Sequence, residues 1–441
     1  MKLPDHIRVC IDTLENAGFA AYAVGGCVRD SLLGLTPHDY DLCTNAAPAQ
    51  LRALFANYPL VLSGEKHGTV SVVMDHQPVE ITTFRTEGGY QDGRHPDWVR
   101  FVSTIEEDLS RRDFTVNAMA YSPTRGFADP FGGQADLKSR TLRAVGDPAA
   151  RFTEDALRIL RGVRFAVRYG LSVEPETEKA MFSLAPLMDK LARERVFDEL
   201  CKLIPLVSAS DMGHFAPVLV QAIEELKGCV GFNQHSPHHA YDVYTHTAHV
   251  VEAMPPDLAL RLAALLHDIG KPTVFYRDET GRGHFPDHAK VGAEMADAIL
   301  RRLRASNTLR SRVVELILHH MIPLEPDKRI LRRRLSKLGT AGVQDLLALQ
   351  RADFGSKGVG EQTDVFDRVE ALIEEILRED ACLSLTDLAV NGRDLIALGF
   401  SGKAIGTCLS HLLERVLDET LPNERDSLLA AARTYLQEVL P

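Results

Sequence analysis

The stretch GGCVRDSLLGLTPHDYDL, Gly25–Leu42, holds two adjacent glycines, an arginine, and then two aspartates two residues apart, Asp39 and Asp41. The apolar run before it, Ala20–Val24, reads as a short strand that ends in the glycine turn. Arg29–Leu35 has room for one or two helical turns, and Tyr40–Leu42 reads as a strand beginning at the acids. Residues i and i+2 of a strand share a face, so this reading makes Asp39 and Asp41 project together. Side-by-side carboxylates repel one another and are settled by a cation between them. Oxygen ligands that leave room for water and substrate phosphates suit Mg²⁺. Two such ions activate an attacking hydroxyl and stabilise a leaving pyrophosphate. A glycine turn opening onto a short helix that carries Arg29 offers free N–H groups and positive charge to a triphosphate. A D-x-D pair alone is weak evidence; G-G-x-x-R-D followed by it points to a nucleotide site.

Outward from this stretch, Thr69–Asp75 and Pro78–Phe84 alternate with period two around a tight turn and read as a hairpin. Asp113–Tyr121 is a further short apolar element. Beyond Pro148 nearly every segment has helical period, with polar breaks near 208–211, 232–239, 276–286 and 354–362. The fold expected is α+β: a mixed-sheet head followed by an all-helical remainder. At 441 residues the chain exceeds one core and predicts two to four domains. No apolar run approaches the ~18–20 residues needed to cross a bilayer. The segment MKLPDHIRVCIDTL lacks a signal-peptide core and reads as an amphipathic helix. Seven scattered cysteines without a CxxC pair favour a reducing cytoplasm over a disulfide framework. The net charge of −11 argues against general nucleic-acid stickiness. The basic runs Arg301–Arg312 and Lys328–Lys337 are either solvated helix faces or a local nucleic-acid face.

GGCVRDSLLG with HDYDL resembles the head of class II tRNA nucleotidyltransferases, the CCA-adding enzymes, and of bacterial poly(A) polymerases. GEKHGTVSV (Gly64–Val72), FRTEGGYQDGRHPDWVRFV (Phe84–Val102), DLSRRDFTVNAMAY (Asp108–Tyr121), DPFGGQADL (Asp129–Leu137) and EDALRILRGVRFA (Glu154–Ala166) follow in that family's order. The resemblance covers roughly residues 15–205 closely and the rest more loosely. It implies that Asp39 and Asp41 hold Mg²⁺, with Glu80 as the candidate third carboxylate from a neighbouring strand. Gly26, Arg29 and Arg112 match its phosphate contacts; for Arg112 a buried pair with Asp113 is the alternative.

The helix expected over Glu154–Arg164 bears on specificity. Asp155 and Arg158, three apart, are helix-surface neighbours, and Arg161 and Arg164 continue the interval. Such a row is either a salt-bridged solvent face or a reader of bases. C and A both present an amino group beside an acceptor, whereas U and G present the reverse. One Asp/Arg pair therefore accepts the first two and rejects the others. The resemblance implies that role for Asp155 and Arg158, with Arg161 and Arg164 nearer the phosphates or primer. The polar segment Thr86–Arg100, with Tyr90, Asp92 and Arg94, reads as a mobile loop of the kind similar enzymes use in switching from C to A addition. Two arginines before the proline are frequent there; this chain has Arg94-His95-Pro96.

A second pattern comprises His246, LRLAALLHDIGKP with His267, Asp268 and Lys271, and Asp353 in ALQRADF. Imidazole with carboxylate on apolar helices is a transition-metal ligand set. The pattern resembles an HD-superfamily phosphohydrolase domain with His246, His267, Asp268 and Asp353 as ligands, a transition metal in place, and His288 and His319 for a second position. A metal-bound hydroxide there hydrolyses a phosphomonoester or a 2′,3′-cyclic phosphate. A vestigial core is the other reading. The tail from Ala381 resembles the tRNA-gripping end of CCA-adding enzymes, with Arg393 and Lys403 as candidate phosphate contacts.

The expectation is thus a nucleotidyltransferase head over 1–148, a helical neck over 149–220, an HD-type body over 221–360 and a tRNA-binding tail over 361–441. The expected activity is template-independent addition of C, C and A to tRNA from CTP and ATP, in the cytoplasm, without a membrane or an obligate protein partner. A partial CC- or A-adding enzyme, and an HD phosphohydrolase with an RNA-binding head, are the alternatives.

Overall fold

Ala21–Val24 (β1) is buried at all four positions, as a central strand covered on both faces must be. The computed structural model describes residues 1–88, 98–237, 240–358, 364–379 and 381–439. The other described strands of the first part are β2 (Asp41–Thr44), β3 (Leu60–Val61), β4 (Thr69–Met74), β5 (Gln77–Thr83), β6 (Arg85–Gly88), β7 (Trp98–Phe101), β8 (Ala120–Ser122), β9 (Gly126–Ala128), β10 (Thr141–Leu142) and β11 (Ser172–Val173), the last two pairing in parallel. Seven of them form one sheet in the order β3-β4-β5-β2-β1-β8-β9, in which β2 and β5 run parallel and the remaining neighbours antiparallel. β4 alternates between buried and half-buried residues and pairs with β5 through the two-residue turn Asp75-His76, as the period-two pattern predicts. Both turn residues take positive φ, the twist a two-residue hairpin demands. β6 and β7 pair as a separate ribbon.

The helices of this part are α1 (Asp5–Asn16), α2 (Gly26–Leu32), α3 (Pro48–Leu54), α4 (Ile105–Ser110), α5 (Gly133–Lys138), α6 (Pro148–Glu154), α7 (Leu157–Tyr169), α8 (Pro175–Leu184), α9 (Arg193–Leu203), α10 (Ala209–His214) and α11 (Ala216–Ala222). α1 buries Ile7, Cys10, Ile11 and Leu14, one stripe at helical spacing. α7 stops at Gly170, whose φ of 59° is the left-handed cap glycine supplies without a side-chain penalty.

Two expectations about local structure are corrected. The strand after the glycine turn begins at Asp41, so Asp39 lies in the loop two residues ahead of it. The helix over Glu154–Arg164 is broken: Asp155 is extended (φ −144°, ψ 101°) between α6 and α7. Its Oδ1 accepts the N–H of Leu157, the competition with helical hydrogen bonding that makes aspartate a helix-start residue.

The chain divides into two compact units, Met1–Lys227 with Arg302–Arg304, and Gly228–Arg301 with Ala305–Pro441. Among its described residues the second is helical apart from one small hairpin: α12 (Val243–Ala253), α13 (Leu258–Leu266), α14 (Lys271–Val274), α15 (His288–Arg302), α16 (Asn307–His319), α17 (Lys328–Gly355, interrupted at Gly339), α18 (Asp364–Arg378), α19 (Gly392–Ala397), α20 (Lys403–Leu417) and α21 (Arg425–Val439). α13 is buried along Ala259–Leu266 and is the apolar axis of this unit. No helix among the described residues is long and apolar enough to cross a membrane.

Candidate active site

Strand register assembles the first site. Asp41 opens β2 opposite Val24, the last residue of β1, so the glycine turn stands beside it. Leu42 pairs with Ile81 in parallel, which sets Glu80 one step back along β5, next to Asp41. Asp39, Asp41 and Glu80 are all exposed. Desolvation first, and then repulsion from Glu80 and Asp39, hold the Asp41 carboxyl above its usual range; Arg112 opposes them. Among the described residues, no hydrogen bond or ion pair neutralises these three carboxylates. Three mutually repelling oxygen donors without a partner fit a hard divalent cation.

Arg112 arches over the turn. A Cβ on Gly25, whose φ is 77°, would lie 2.9 Å from Arg112 Nη1. Arg112 pairs with Asp108 at 3.5 Å rather than with Asp113. Asp113 instead takes Arg161, through Nε at 2.9 Å and Nη2 at 2.7 Å. Burial alone would raise the Asp113 carboxyl, but Arg161 and Asn117 hold it down at about 2.

Arg29 is 5% exposed and is committed to internal partners. Its Nε and Nη2 reach Asp30 at 2.8 and 2.7 Å, Nη2 also donates to the Tyr169 hydroxyl at 2.5 Å, and Nη1 donates to Asn117. The Gly26 face of the turn stays open: a Cβ there would meet only the end of Arg29, at 3.6 Å.

The expected Asp155/Arg158 pair is not a pair. Asp155 Oδ2 accepts from Arg195 at 2.9 Å, while Arg158 binds Glu154 at 2.8 Å and the carbonyls of Arg151 and Arg111. Arg164 binds Glu199 at 2.5 Å, and both are buried. From α9, Glu199 thus holds Arg164 of α7 and Arg195 holds Asp155 just ahead of that helix; neither Arg195 nor Glu199 is among the expected residues. The signal was present: in ARERVFDEL those two residues stand one helical turn apart and so share a face. Of the expected loop over Thr86–Arg100, residues 89–97, including Tyr90, Asp92 and Arg94, lie outside the described residues; its flanks form the β6–β7 ribbon.

The second cluster lies in the helical unit. His246 comes from α12, His267 and Asp268 from the end of α13, His288 from the start of α15 and Asp353 from α17. His246 Nε2 is 3.0 Å from Asp353 and 3.7 Å from Asp268; His267 Nε2 is 3.2 Å from Asp268; His288 Nε2 is 3.5 Å from it. Lys271 Nζ sits 2.7 Å from Asp268, and Gln234 accepts from Lys271 at 2.8 Å.

His320, not His319, joins this cluster. His246, His267 and Asp268 bring ligand atoms within 4.8 Å of one another, and so do Asp268, His288 and His320. Asp268 belongs to both groups. Four imidazoles are oriented alike: Nδ1 of His246, His267, His288 and His320 meets the backbone carbonyl of Ser356, Ala264, Phe285 and Ile317. Donation from Nδ1 leaves each Nε2 lone pair facing the carboxylates, which is the arrangement of metal-ligating histidines. Among the described residues, Nε2 of His288 and His320 is buried without a hydrogen-bond partner. Burial and the adjacent His267 hold the His320 imidazole down at about 4, so it is neutral near pH 7. His319 lacks the carbonyl contact at Nδ1. The residues fit a transition metal through buried nitrogen and carboxylate donors. In the tail, Arg393 and Lys403 are exposed.

Three family models match the chain: "Poly A polymerase head domain" over residues 21–143, "Probable RNA and SrmB- binding site of polymerase A" over 170–210, and "HD domain" over 238–387. The CCA-adding enzyme of Latilactobacillus sakei is 34% identical over 439 residues, covering 96% of each chain. That of Leuconostoc mesenteroides is 50% identical over 191 residues, covering 43% of this chain and 47% of its own. The CCA-adding enzyme of Bacillus stearothermophilus, solved in complex with CTP, superposes with a TM-score of 0.72 at 26% identity over 99% of each chain. The Thermotoga maritima CCA-adding enzyme, solved with tRNA, shares the fold at a TM-score of 0.61 and 21% identity, covering 98% of this chain and 95% of that one. With a relative of that identity matched along almost its whole length, on top of the paired acids and their glycine turn, the chain belongs to the family of CCA-adding enzymes.

Proposed function

We propose that this chain adds C, C and A to the 3′ end of tRNA, taking CTP and ATP and releasing pyrophosphate without a nucleic-acid template. The observation that carries the reading is the set of unneutralised carboxylates Asp39, Asp41 and Glu80 beside the Gly25-Gly26 turn, with Arg112 over it. Nucleotidyl transfer of this type depends on a divalent metal ion. Mg²⁺ held by Asp39 and Asp41 supplies, when bound, positive charge for the attacking 3′-hydroxyl and the departing pyrophosphate. Glu80 adds negative charge to that cradle. Gly26 and Arg112 face the triphosphate, and Arg29 braces the turn from beneath. Asp155 and Arg158 select C and A by donor–acceptor pattern, and Arg161 and Arg164 fix the helix that carries Arg158. For Asp155 and Arg158 to read a base, the contacts to Arg195 and Glu154 must be shared or exchanged with the nucleotide. We further assign residues 1–148 to the head, 149–220 to the neck, 221–360 to the HD body and 361–441 to a tRNA-gripping tail, and place the reaction in the cytoplasm.

The test is incorporation on tRNA that ends before CCA, with the product ends sequenced after CTP alone and after CTP with ATP. Two C residues from CTP alone and complete CCA with both nucleotides are expected, and Asp39→Ala abolishes both. A product that stops at CC with ATP present fits a partial enzyme and defeats the complete-CCA reading.

A second activity is favoured by the four aligned imidazoles. We infer that His246, His267, Asp268 and Asp353, with His288 and His320, hold a transition metal that serves hydrolysis of a phosphomonoester or 2′,3′-cyclic phosphate on an RNA end. Lys271, buried beside Asp268, adds positive charge next to the set that would take such a phosphate.

A further inference from the structure

The polar side chains packed around Phe165 close into a ring. The Tyr169 hydroxyl, at the last residue of α7, accepts from Arg29 at 2.5 Å and donates to Asp30 at 3.1 Å. Arg29 donates to Asn117 Oδ1, and Asn117 Nδ2 donates to Asp113 Oδ1 at 3.0 Å. Asp113 Oδ2 takes Arg161 at 2.7 Å, and Arg161 lies on α7 about two helical turns before Tyr169. The chain of contacts therefore leaves the C-terminal end of α7, passes through α2 and the Asp113–Asn117 segment, and returns to α7. Phe165 stands at its centre, 4% exposed. Arg29 and Arg161 each lie 5.2 Å from its ring centroid and Arg164 lies 4.3 Å from it, while Arg29 also stacks on Tyr169 at 4.3 Å.

We propose that this ring couples the triphosphate turn to the base-selecting helix, and that Tyr169 is the positioning residue that closes it. Arg29 stands one turn along α2 from the Gly25-Gly26 pair, so fixing its guanidinium fixes the turn. Arg161 stands one turn along α7 from Arg158, so fixing it fixes the selecting end of the helix. Linked hydrogen bonds with a charged member hold geometry better than isolated ones, because each polarises the next. The ring thus holds the phosphate-binding and base-reading groups at one spacing, which is what a nucleotide gripped at both ends requires. Tyr169 touches neither substrate end in this role.

The proposal rests on the transferase reading, and the experiment separates the two. Tyr169→Phe removes the hydroxyl and keeps the aromatic face under Arg29. The expected result is a KM for CTP and for ATP raised together by about tenfold, the loss of one charge-assisted hydrogen bond, with KM for tRNA unchanged. Asp30→Asn, which weakens the same corner, gives a similar rise. The double variant is no worse than the poorer single one, because both changes act on the one Arg29–Asp30–Tyr169 corner. Equilibrium dialysis with CTP gives the same comparison without turnover. If wild type binds CTP but adds nothing to tRNA, the transferase reading fails while dialysis still scores the ring. Unchanged CTP affinity and unchanged KM in both single variants overturn the proposal. So does a drop in melting temperature with no change in KM or affinity, which a merely structural tyrosine would give.

Discussion

At the scale of single residues, Asp113 shows how a buried charge becomes structural. Its side chain is 8% exposed and held by Arg161, Asn117 and the N–H of Phe114. A folded-state value of about 2 lies below the ~3.9 of a free aspartate. The pair therefore contributes its full stabilisation, about 2 kcal/mol, above pH 4, and loses it as pH falls from about 4 through about 2. Asp113→Asn leaves Arg161 with a neutral partner in a half-buried site and costs about 3 kcal/mol at pH 7. The chain's sole tryptophan, Trp98, lies in the same unit and reports its unfolding. Urea midpoints followed by its fluorescence drop at pH 7 in the variant, and between pH 4 and pH 3 they fall less steeply than in wild type. A variant with wild-type acid sensitivity would place that sensitivity in another carboxylate. Arg112 and Arg161 also mark what sequence distance conceals. Arg112-Asp113 reads as a neighbouring ion pair, yet consecutive side chains diverge, and the partners chosen lie at Asp108 and Arg161.

At the scale of elements, the legible parts were those whose evidence is local. The β4–β5 hairpin follows from period two, and α1 from one apolar stripe. The break at Asp155 did not, since an aspartate within a helical pattern is equally a surface residue or the start of a new helix. His319-His320 was equally ambiguous. The two differ by about 100° around a helix, and only the fold of α16 against α13 and α15 shows that His320 is the one turned to Asp268. Asn117 and Tyr169, 52 residues apart, carry no shared signature and meet only through Arg29. The glycine turn was legible, but its two glycines differ. Gly25 has φ 77° and ψ −125°, a conformation closed to other residues, and a methyl there meets Arg112. Gly26 is helical and has space for a methyl group. Gly25→Ala is expected to lower the melting temperature of this unit by about 5 °C, from roughly 2 kcal/mol of strain. It also displaces Arg112 from its place over the turn, so CTP incorporation falls at least about tenfold. Gly26→Ala is expected to melt within about 2 °C of wild type. Calorimetry and initial rates on both variants check this; equal destabilisation would mean that backbone strain at Gly25 is not what the turn depends on.

At the scale of the whole molecule, two metal-type sites occupy two separately packed units and differ in chemistry. The head presents exposed carboxylate oxygens, suited to a hard ion that exchanges with substrate. The helical unit presents buried imidazole nitrogens around Asp268, suited to a transition metal that stays bound. This contrast predicts separable activities. His267→Ala removes a ligand without touching the head, so CCA addition with Mg²⁺ stays within about twofold of wild type. The same variant loses phosphate release from 2′,3′-cyclic nucleotides assayed with Ni²⁺ or Mn²⁺, typically by tenfold or more for a lost ligand contact. Asp39→Ala gives the reverse: no nucleotide added, hydrolysis intact. Dialysis against a strong chelator, followed by Mg²⁺ alone, restores addition and leaves hydrolysis absent until a transition metal is returned. The buried cluster is nitrogen-rich, and Mg²⁺ does not replace nitrogen-ligated metals well. Were His267→Ala to abolish both activities while the protein remained folded, the two sites would have to depend on one another. Were wild type to hydrolyse nothing with any of these ions, the four aligned imidazoles would be a packing motif and the transferase would stand alone.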